Sequence, residues 1–189
     1  MSILSRDAVE AMGFGAVGAN ALISDRASFY NCGNIFIGDN VRIDDFCVLS
    51  AGAGGIHLGS HIHVAVFTSM IGDGRITLAD FCNLSSRVAI YSSTDDFSGA
   101  TMTNPMVPKK FTGVQHAPVF LGEHVVIGSG SVVLPGVTIA EGAAVGALSL
   151  VKEDCDSFKI YAGAPAKAVR ERKRDLLVLA EEFLRSKAV

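Results

Sequence analysis

The sequence predicts an all-β chain wound into a parallel β-helix, and three features lead to that fold class. Branched aliphatic side chains recur at every sixth position over much of the 189-residue chain. The residue two places earlier is apolar or small, and Gly, Ala or Ser commonly follows the aliphatic. Aromatic residues make up only 7% of the chain, and Trp is absent. A period of six matches short strands that place two side chains inward and then turn a corner, and such strands stack into a prism too narrow for wide aromatics.

The repeat is most regular in the second half of the chain. Its longest run steps by six through Leu121, Ile127, Val133, Ile139, Val145 and Val151. Three shorter runs precede it: Ile37, Ile43 and Leu49; Leu58, Val64 and Met70; and Leu78, Leu84 and Ile90. Three strands complete a coil of about 18 residues, so the runs predict aliphatic ladders along the inside of the prism.

Interruptions of the repeat predict the remaining elements. Ile90 and Leu121 are 31 residues apart where six were due, which predicts an inserted loop at about 92–118. The looser pattern before residue 37 predicts a capping coil, closed by a short helix at about 5–12. After Lys152 the repeat stops, and apolar residues at helical spacing predict a C-terminal helix at about 165–186. We therefore expect one domain, with the β-helix and its loop in 1–164 and the helix in 165–189.

Charge and cysteine usage exclude several classes of protein. Residues 1–166 hold 9 Lys or Arg and 15 Asp or Glu, a net charge of −6 that argues against nucleic-acid binding. No apolar run reaches the ~18–20 residues that span a bilayer, and the N-terminus does not resemble a signal peptide. The four cysteines form no C-x-x-C pair, so we expect reduced thiols in the cytoplasm, with Cys47 and Cys82 as packing residues.

Two segments resemble the hexapeptide-repeat acyltransferases, whose fold is a left-handed parallel β-helix. They are residues 125–139 (VVIGSGSVVLPGVTI) and 160–170 (IYAGAPAKAVR). The pattern is similar to the galactoside, maltose and xenobiotic acetyltransferase branch, in which a loop interrupts the helix before its last coils. Residues 90–99 (IYSSTDDFSG) and 103–105 (TNP) look closer to enzymes of nucleotide-linked sugars, such as the dTDP-4-amino-4,6-dideoxyglucose N-acetyltransferases.

The resemblance implies a homotrimer that binds acetyl-CoA in a groove between neighbouring β-helices. Carried over position by position, Ser129, Ala147 and Lys152 line the pantetheine groove, while Lys167 and Arg170 approach the phosphates of CoA. Small corner residues would let a thin pantetheine arm approach the backbone, and cations would meet phosphate oxygens. This chain departs from its relatives at Glu153, where they often carry Lys.

The identity of the general base is open at this point. In the O-acetyltransferases that the chain resembles, the base is a histidine on the inserted loop, and the matching position here is Asp95, followed by Asp96. A carboxylate with a pKa near ~4 is a weak base for a hydroxyl group. Either the acceptor is an amine that Asp95 or Asp96 orients or deprotonates, or another histidine serves. The candidates are His63 at a coil corner and His116 at the end of the loop.

The other histidines predict no chemistry. We interpret His57, His61 and His124 as corner residues, and because His61-x-His63 lacks a third ligand at matching spacing we expect no metal site. The hypothesis is an acetyl-CoA-dependent acetyltransferase that acts on the amino group of a nucleotide-linked aminosugar for surface polysaccharide synthesis. Sugar O-acetyl transfer, a γ-class carbonic anhydrase and a non-catalytic β-helix that acts as a scaffold or binding module are the alternatives.

Overall fold

The computed structural model describes residues 2–187, in which short strands stack as about seven coils around a three-sided prism. Each side of the prism is one sheet, here named sheets I, II and III. Sheet I contains β1 (Ala16–Val17), β4 (Ile35–Ile37), β7 (Ile56–Leu58), β10 (Ile76–Leu78), β15 (Val119–Leu121) and β18 (Thr138–Ile139). Sheet II contains β2 (Leu22–Ile23), β5 (Arg42–Ile43), β8 (His63–Val64), β11 (Asn83–Leu84), β16 (Val126–Ile127), β19 (Ala144–Val145), β21 (Lys159–Ala162) and β22 (Lys167–Glu171). Sheet III contains β3 (Ser28–Tyr30), β6 (Val48–Ala51), β9 (Ser69–Gly72), β12 (Ala89–Tyr91), β17 (Val132–Val133) and β20 (Leu150–Val151).

The predicted aliphatic ladders form the core of the prism, so the predicted fold class is confirmed. Successive coils pair in parallel with matched registers, for example Leu84 beside Val64 on one side and Ile127 on the other. Every member of the four runs identified in the sequence is buried, with at most 4% of its surface exposed. Each fully buried aliphatic contributes about 1.5–3 kcal/mol, and the parallel ladders satisfy the backbone hydrogen bonds of every inner coil.

Rings on the outside of the prism also form a ladder. At the corner between sheets I and II, His61, Phe81 and His124 adopt left-handed φ angles of 58°, 62° and 59°. Their rings stack with centroid distances of 5.0 and 4.8 Å, and Phe183 of the C-terminal helix meets His61 edge-on at 5.2 Å. The expected corner position of His57 is wrong, because His57 lies within β7 on the outer face of sheet I, where it stacks on Phe36 of the neighbouring strand. These three histidines are therefore packing residues.

Three of the cysteines fill small inward positions in the coils. Cys47, Cys82 and Cys155 are at most 3% exposed. Burial raises the pKa of the Cys47 and Cys155 thiols to about 11 and that of Cys82 to about 12. Since the thiolate is the reactive form, these three residues are chemically protected in the folded chain.

Thiol labelling of the native protein should accordingly modify only Cys32, which is partly exposed. We expect one of the four thiols to react with Ellman's reagent before denaturation, and all four to react in guanidinium. The Cys32→Ser variant should show no native reaction. Fast labelling of any thiol in that native variant would contradict the packing described here.

The two ends of the chain close the prism differently. Helix α1 (Arg6–Ala11) covers the first coil as predicted, and the Ser5 side chain caps it by accepting from the Ala8 amide. Helix α2 (Asp175–Lys187) is the predicted C-terminal helix, but the expected start near residue 165 is wrong. Residues 167–171 form β22, which pairs antiparallel with β21 because the last coil leaves the edge of sheet II open.

Residues 1, 188 and 189, at the ends of the predicted ranges 1–164 and 165–189, lie outside the described part of the chain. Within residues 2–187, no helix is both long and apolar enough to cross a membrane.

Candidate active site

The predicted insertion leaves the prism between the fourth and fifth coils, at the corner that joins sheet III to sheet I. It begins after β12 and ends before β15. Its two ends pair as a short antiparallel ribbon of β13 (Ser93–Thr94) and β14 (Gln115–His116), and a 3-10 turn spans Lys109–Phe111. The ribbon anchors the loop to the prism and so gives the residues beside it defined positions.

Asp95 follows directly after β13 and lines an open cavity of about 310 Å³. The walls of this cavity come from the loop, including Phe97, and from Val132 of β17 and Leu134 just after that strand. Among residues 2–187, the Asp95 carboxylate takes part in no hydrogen bond or ion pair. It is therefore an uncommitted acceptor beside a partly apolar surface.

Asp96 has a different role, although it is the next residue. One carboxylate oxygen accepts from the Ser98 amide at 2.8 Å, and the other accepts from the amide and hydroxyl of Thr101 at 2.8 and 3.1 Å. Hydrogen bonds from Ser98 and Thr101 lower the pKa of Asp96 to about 2. A carboxylate with all these partners shapes the turn and is a poor proton acceptor, so of the two aspartates Asp95 is the one available for chemistry.

His116 lies at the base of the loop, as its sequence position suggested. Its Nδ1 is 2.7 Å from the Ser93 hydroxyl, and its Nε2 is 3.9 Å from an Asp73 carboxylate oxygen. Together with Lys109, Thr112 and Val114, His116 and Asp73 line a cavity of about 240 Å³. The structure therefore gives His116 a polar environment at the foot of the insertion.

His63 lies on the outer face of sheet II, in β8, so its expected position at a coil corner is wrong. Its Nε2 is 2.9 Å from one oxygen of Asp44, and the Arg42 Nε donates to the other oxygen at 2.7 Å. The Asp44 side chain is only 8% exposed, whereas those of Arg42 and His63 are 51% and 41% exposed. Burial alone would raise the pKa of Asp44, but hydrogen bonds from His63 and Arg42 outweigh it and lower that pKa. A buried carboxylate thus holds two exposed nitrogen-rich side chains in place.

The predicted catalytic residues fall into two groups that a single chain does not bring together. Asp95, Asp96 and His116 belong to the loop at the corner between sheets III and I, while His63 is on sheet II. In a three-sided prism, a face lies opposite the corner formed by the other two. His63 and the loop of the same chain therefore point away from each other.

Two predicted groove residues stack at the corner between sheets II and III. Ser129 and Ala147 are exposed and occupy equivalent positions in neighbouring coils, and the Leu148 amide donates to the Ser129 carbonyl at 2.9 Å. Gly128 lies beside them, where an added Cβ would come within 2.4 Å of the Ala147 amide nitrogen. The small side chains leave an exposed strip of backbone.

The predicted cations gather at the last coil. Glu153, the departure from the family pattern, lies 3.6 Å from Lys152 Nζ and 3.3 Å from Lys167 Nζ. The hydrogen bond and charge of Lys167, with a smaller effect of Lys152, lower the pKa of Glu153. Glu153 therefore sits between the two lysines and holds them close together.

A bulge in β22 places Lys167 and Arg170 on one face. Lys167 pairs with Ala162 and Arg170 with Ile160, and the register shifts between Ile160 and Tyr161. Residues two apart on a strand share a face, and Tyr161 between them is buried. Both cations consequently lie on the outer face of sheet II, although the helix that would have grouped them is absent.

Sequence reasoning missed Arg42 and Asp44. The register aligns Arg42, His63 and Asn83 in successive strands of sheet II. These residues directly precede members of the repeat, so the outward column of the repeat could have indicated Arg42, whereas Asp44 follows Ile43 and belongs to no such column. Among residues 2–187, no group of three or more His, Cys, Asp or Glu side chains is placed to hold a metal ion.

Comparison with known proteins identifies relatives along the whole chain. No protein-family model matches it. The dTDP-4-amino-4,6-dideoxy-D-glucose acyltransferase of Escherichia coli is 54% identical over 183 residues, which span 97% of this chain and 95% of that protein. AntD, an N-acyltransferase from Bacillus cereus solved in complex with dTDP and 3-hydroxybutyryl-CoA, is 44% identical with a TM-score of 0.95 and covers 100% of this chain and 99% of its own. A variant of AntD in which a serine is replaced by alanine was solved in complex with dTDP-4-amino-4,6-dideoxyglucose and coenzyme A. It has a TM-score of 0.94 at 44% identity over 98% of each chain.

A more distant structure, galactoside acetyltransferase with coenzyme A, is 23% identical with a TM-score of 0.60, covers 88% of this chain and 69% of its own, and shares the fold alone. The chain belongs to the hexapeptide-repeat acyltransferases, and its prism of six-residue repeats matches the fold of that family. It is thus an acyltransferase, and within the family its end-to-end similarity is to the enzymes of dTDP-linked aminosugars.

Proposed function

We propose that this enzyme transfers an acyl group from acyl-CoA to the amino group of a dTDP-linked 4-amino-4,6-dideoxy sugar. The observation that carries the proposal is the similarity to AntD, which extends over 98% of both chains and includes a structure with such a sugar and coenzyme A bound. The uncommitted Asp95 carboxylate on the loop supports an amine acceptor, because an amine needs less help from a base than a hydroxyl does.

The proposed reaction is a direct attack of the amine on the thioester. The nitrogen lone pair forms a C–N bond to the thioester carbon, and the nitrogen becomes positively charged. That adduct is strongly acidic, so the Asp95 carboxylate accepts its proton. Collapse of the adduct breaks the C–S bond, and the thiolate of CoA receives the proton. Holding both substrates in one groove supplies most of the rate.

The site as proposed needs more than one chain, and we infer a homotrimer. The loop with Asp95 and the face with Lys167 and Arg170 are on opposite sides of one prism, so they meet only if the loop of one chain reaches sheet II of the next. Phe46, Phe67 and Leu148 are 46%, 50% and 77% exposed at the corner between sheets II and III, as expected of a surface that another chain covers. Light scattering coupled to size exclusion should give the mass of three chains.

The proposed cellular context is cytoplasmic synthesis of an acylated aminosugar for a surface polysaccharide. The four cysteines are unpaired within residues 2–187, which suits a reducing compartment.

The acyl group itself is set by what fits beside the thioester. Whether that group is acetyl or longer is decided by comparing acetyl-CoA with 3-hydroxybutyryl-CoA as donors.

The proposal is tested by measuring CoA release from acyl-CoA with a panel of acceptors. The panel contains dTDP- and UDP-linked aminosugars and the matching sugars that carry a hydroxyl group instead of the amine. We expect turnover only with the aminosugars. Turnover of the hydroxyl sugars alone would replace the proposal with O-acyl transfer. His63, which is hydrogen-bonded to the Asp44 carboxylate, would then be the candidate base. Absence of turnover with every acceptor would leave the binding-module alternative.

Neutralising the two cations on β22 should weaken the acyl donor selectively. In the double variant Lys167→Gln/Arg170→Gln, we expect the KM for acyl-CoA to rise roughly tenfold, since charge-assisted hydrogen bonds to phosphate are lost at an exposed site. The KM for the sugar nucleotide should not change. Arg185→Gln on α2 is the matched control, and an equal effect there would show that general surface charge, and no specific phosphate contact, is responsible.

A further inference from the structure

We propose that Asp73, Ser93 and His116 form a hydrogen-bonded clamp that holds the foot of the inserted loop on the prism and thereby positions Asp95 for the reaction. His116 is then a positioning residue and does not take a proton from the substrate. This inference rests on the proposed function, because it assigns the clamp to the reaction in which Asp95 accepts the proton of the amine.

The clamp connects the loop to the preceding coil. Ser93 and His116 are opposite each other in the register of β13 and β14. The His116 Nδ1 is 2.7 Å from the Ser93 hydroxyl oxygen, and the Asp73 amide donates to the same oxygen at 2.7 Å. Asp73 follows β9 of the third coil, whereas β13 follows β12 of the fourth. One hydroxyl group therefore joins both strands of the ribbon to the neighbouring coil.

The Ser93 hydroxyl can hold both partners at once, because a hydroxyl group donates one hydrogen bond and accepts two. Its oxygen accepts from the Asp73 amide, so it can donate to a neutral His116 or accept a second hydrogen bond from a protonated one. Two charged groups share the cavity of the ring: Asp73, with a carboxylate oxygen 3.9 Å from Nε2, and Lys109. The clamp consequently persists in both protonation states of His116.

The prism side of the clamp is rigid, whereas the ribbon is short. The Ala53 amide donates to an Asp73 carboxylate oxygen at 3.2 Å, and the buried Ser92 hydroxyl donates to the Gly74 carbonyl at 2.7 Å. Each strand of the ribbon has only two residues, and an isolated pair of that size is marginally stable at best. The Thr94 hydroxyl donates within the loop, to the Asp95 carbonyl at 3.2 Å. The Ser93 hydroxyl is therefore the side-chain link between the prism and the segment that carries Asp95.

Ser93 also connects the clamp to the cavity of Asp95. It lines that cavity of about 310 Å³ and, together with Asp73 and His116, a second cavity of about 270 Å³. Asp95 is two residues further along the chain, and because its carboxylate takes part in no hydrogen bond or ion pair among residues 2–187, the backbone of the ribbon sets its position. A displacement of about 1 Å at a reacting group can lower the rate about 100-fold. The clamp thus affects the reaction through the placement of Asp95.

The test measures kcat and KM in the CoA-release assay for variants of the clamp. We expect His116→Ala and Ser93→Ala each to lower kcat by about 10- to 100-fold, with no change in the KM for acyl-CoA, because the predicted donor residues lie on the last coils. The Oδ1 of asparagine is bonded to Cγ as the Nδ1 of histidine is, so His116→Asn keeps an acceptor for Ser93 and should recover most of kcat. His57→Ala, the control, removes a partly exposed histidine on sheet I and should behave as the wild type does.

The pH profile of kcat separates positioning from proton transfer. An asparagine cannot take a proton from the substrate, so a general base at this position would lose as much activity in His116→Asn as in His116→Ala, and the acid limb of the profile would change. The clamp predicts a profile of wild-type shape in His116→Asn. Equal loss of kcat in the two variants, an altered acid limb in His116→Asn, or a wild-type kcat in His116→Ala would each overturn the inference.

Trypsin digestion without substrates tests the clamp independently of the reaction. Lys109 and Lys110 in the loop are exposed, and cleavage after them should be faster in Ser93→Ala and His116→Ala but not in His116→Asn. Unchanged cleavage in all variants would overturn the clamp. If His116→Ala fails to fold by circular dichroism, Ser93→Ala, which removes a single oxygen atom, decides the result. Cleavage in the expected order without turnover of any aminosugar would refute the proposed function and leave the clamp standing.

Discussion

Replacing Asp95 by asparagine is expected to lower kcat by about 10²–10⁴-fold, the usual contribution of a general base. The amide has nearly the same shape as the carboxylate but cannot accept the proton that the amine loses. The Asp95 carboxylate takes part in no hydrogen bond or ion pair among residues 2–187, so the change should leave the fold of the loop intact. Steady-state rates at saturating acyl-CoA and sugar nucleotide measure the effect.

The neighbouring aspartate sharpens this experiment. Asp96→Asn removes a carboxylate that accepts from Ser98 and Thr101, so we expect it to loosen the loop and lower the melting temperature, an effect that Asp95→Asn should not show. Asp7→Asn on α1 is the control for loss of a surface charge. A normal kcat in Asp95→Asn would show that Asp95 is not the base. His116 and His63 of an adjoining chain would then be the candidates.

Truncating Leu84 to alanine is expected to cost about 2–5 kcal/mol of the free energy of unfolding. Leu84 is fully buried in the fourth coil, between Val64 and Ile127 in the same ladder. Coils above and below fix its position, so the prism cannot collapse into the cavity that the substitution leaves. Denaturation by urea at one fixed protein concentration measures the loss, because assembly of several chains would otherwise shift the midpoint.

Leu179→Ala on α2 serves as the matched control, since Leu179 is 63% exposed and the same atoms are removed. We expect it to change the free energy of unfolding by less than about 0.5 kcal/mol. Equal losses in the two variants would mean that the ladder is not the source of stability. A loss in Leu179→Ala that depends on protein concentration would instead locate α2 at a contact between chains.

The inserted loop illustrates where residue patterns carry information about function. The missing repeats between Ile90 and Leu121 indicated the insertion, and the position of Asp95 within it followed from resemblance to enzymes with a histidine there. The sequence could not predict that the carboxylate of Asp96 is hydrogen-bonded within the turn while that of Asp95 is not. It depends on which carboxylate the turn residues reach, and adjacent aspartates have equal access to a turn until the backbone angles are known.

The C-terminal segment shows the opposite case, in which a local pattern was overridden. Residues 167–171 precede a real helix, and their spacing continues the helical pattern. The open edge of sheet II nevertheless recruits them as β22, since unpaired strand groups at the last coil are satisfied by pairing. The bulge near Tyr161 then returns Lys167 and Arg170 to one face, so the grouping of cations that the helix implied survives through a different geometry.

The core of the prism could be predicted from the sequence alone because each inward position must hold an apolar side chain of limited width. That constraint repeats every six residues. The outside carries no such periodic constraint. Arg42 and Asp44 are neighbours in one coil, at 2.7 Å, but His63 is nineteen residues from Asp44 in the sequence, and only the stacking of coils brings its ring within 2.9 Å of that carboxylate. The fold is therefore a property of the local repeat, whereas side-chain clusters on the outer surface depend on the register between coils.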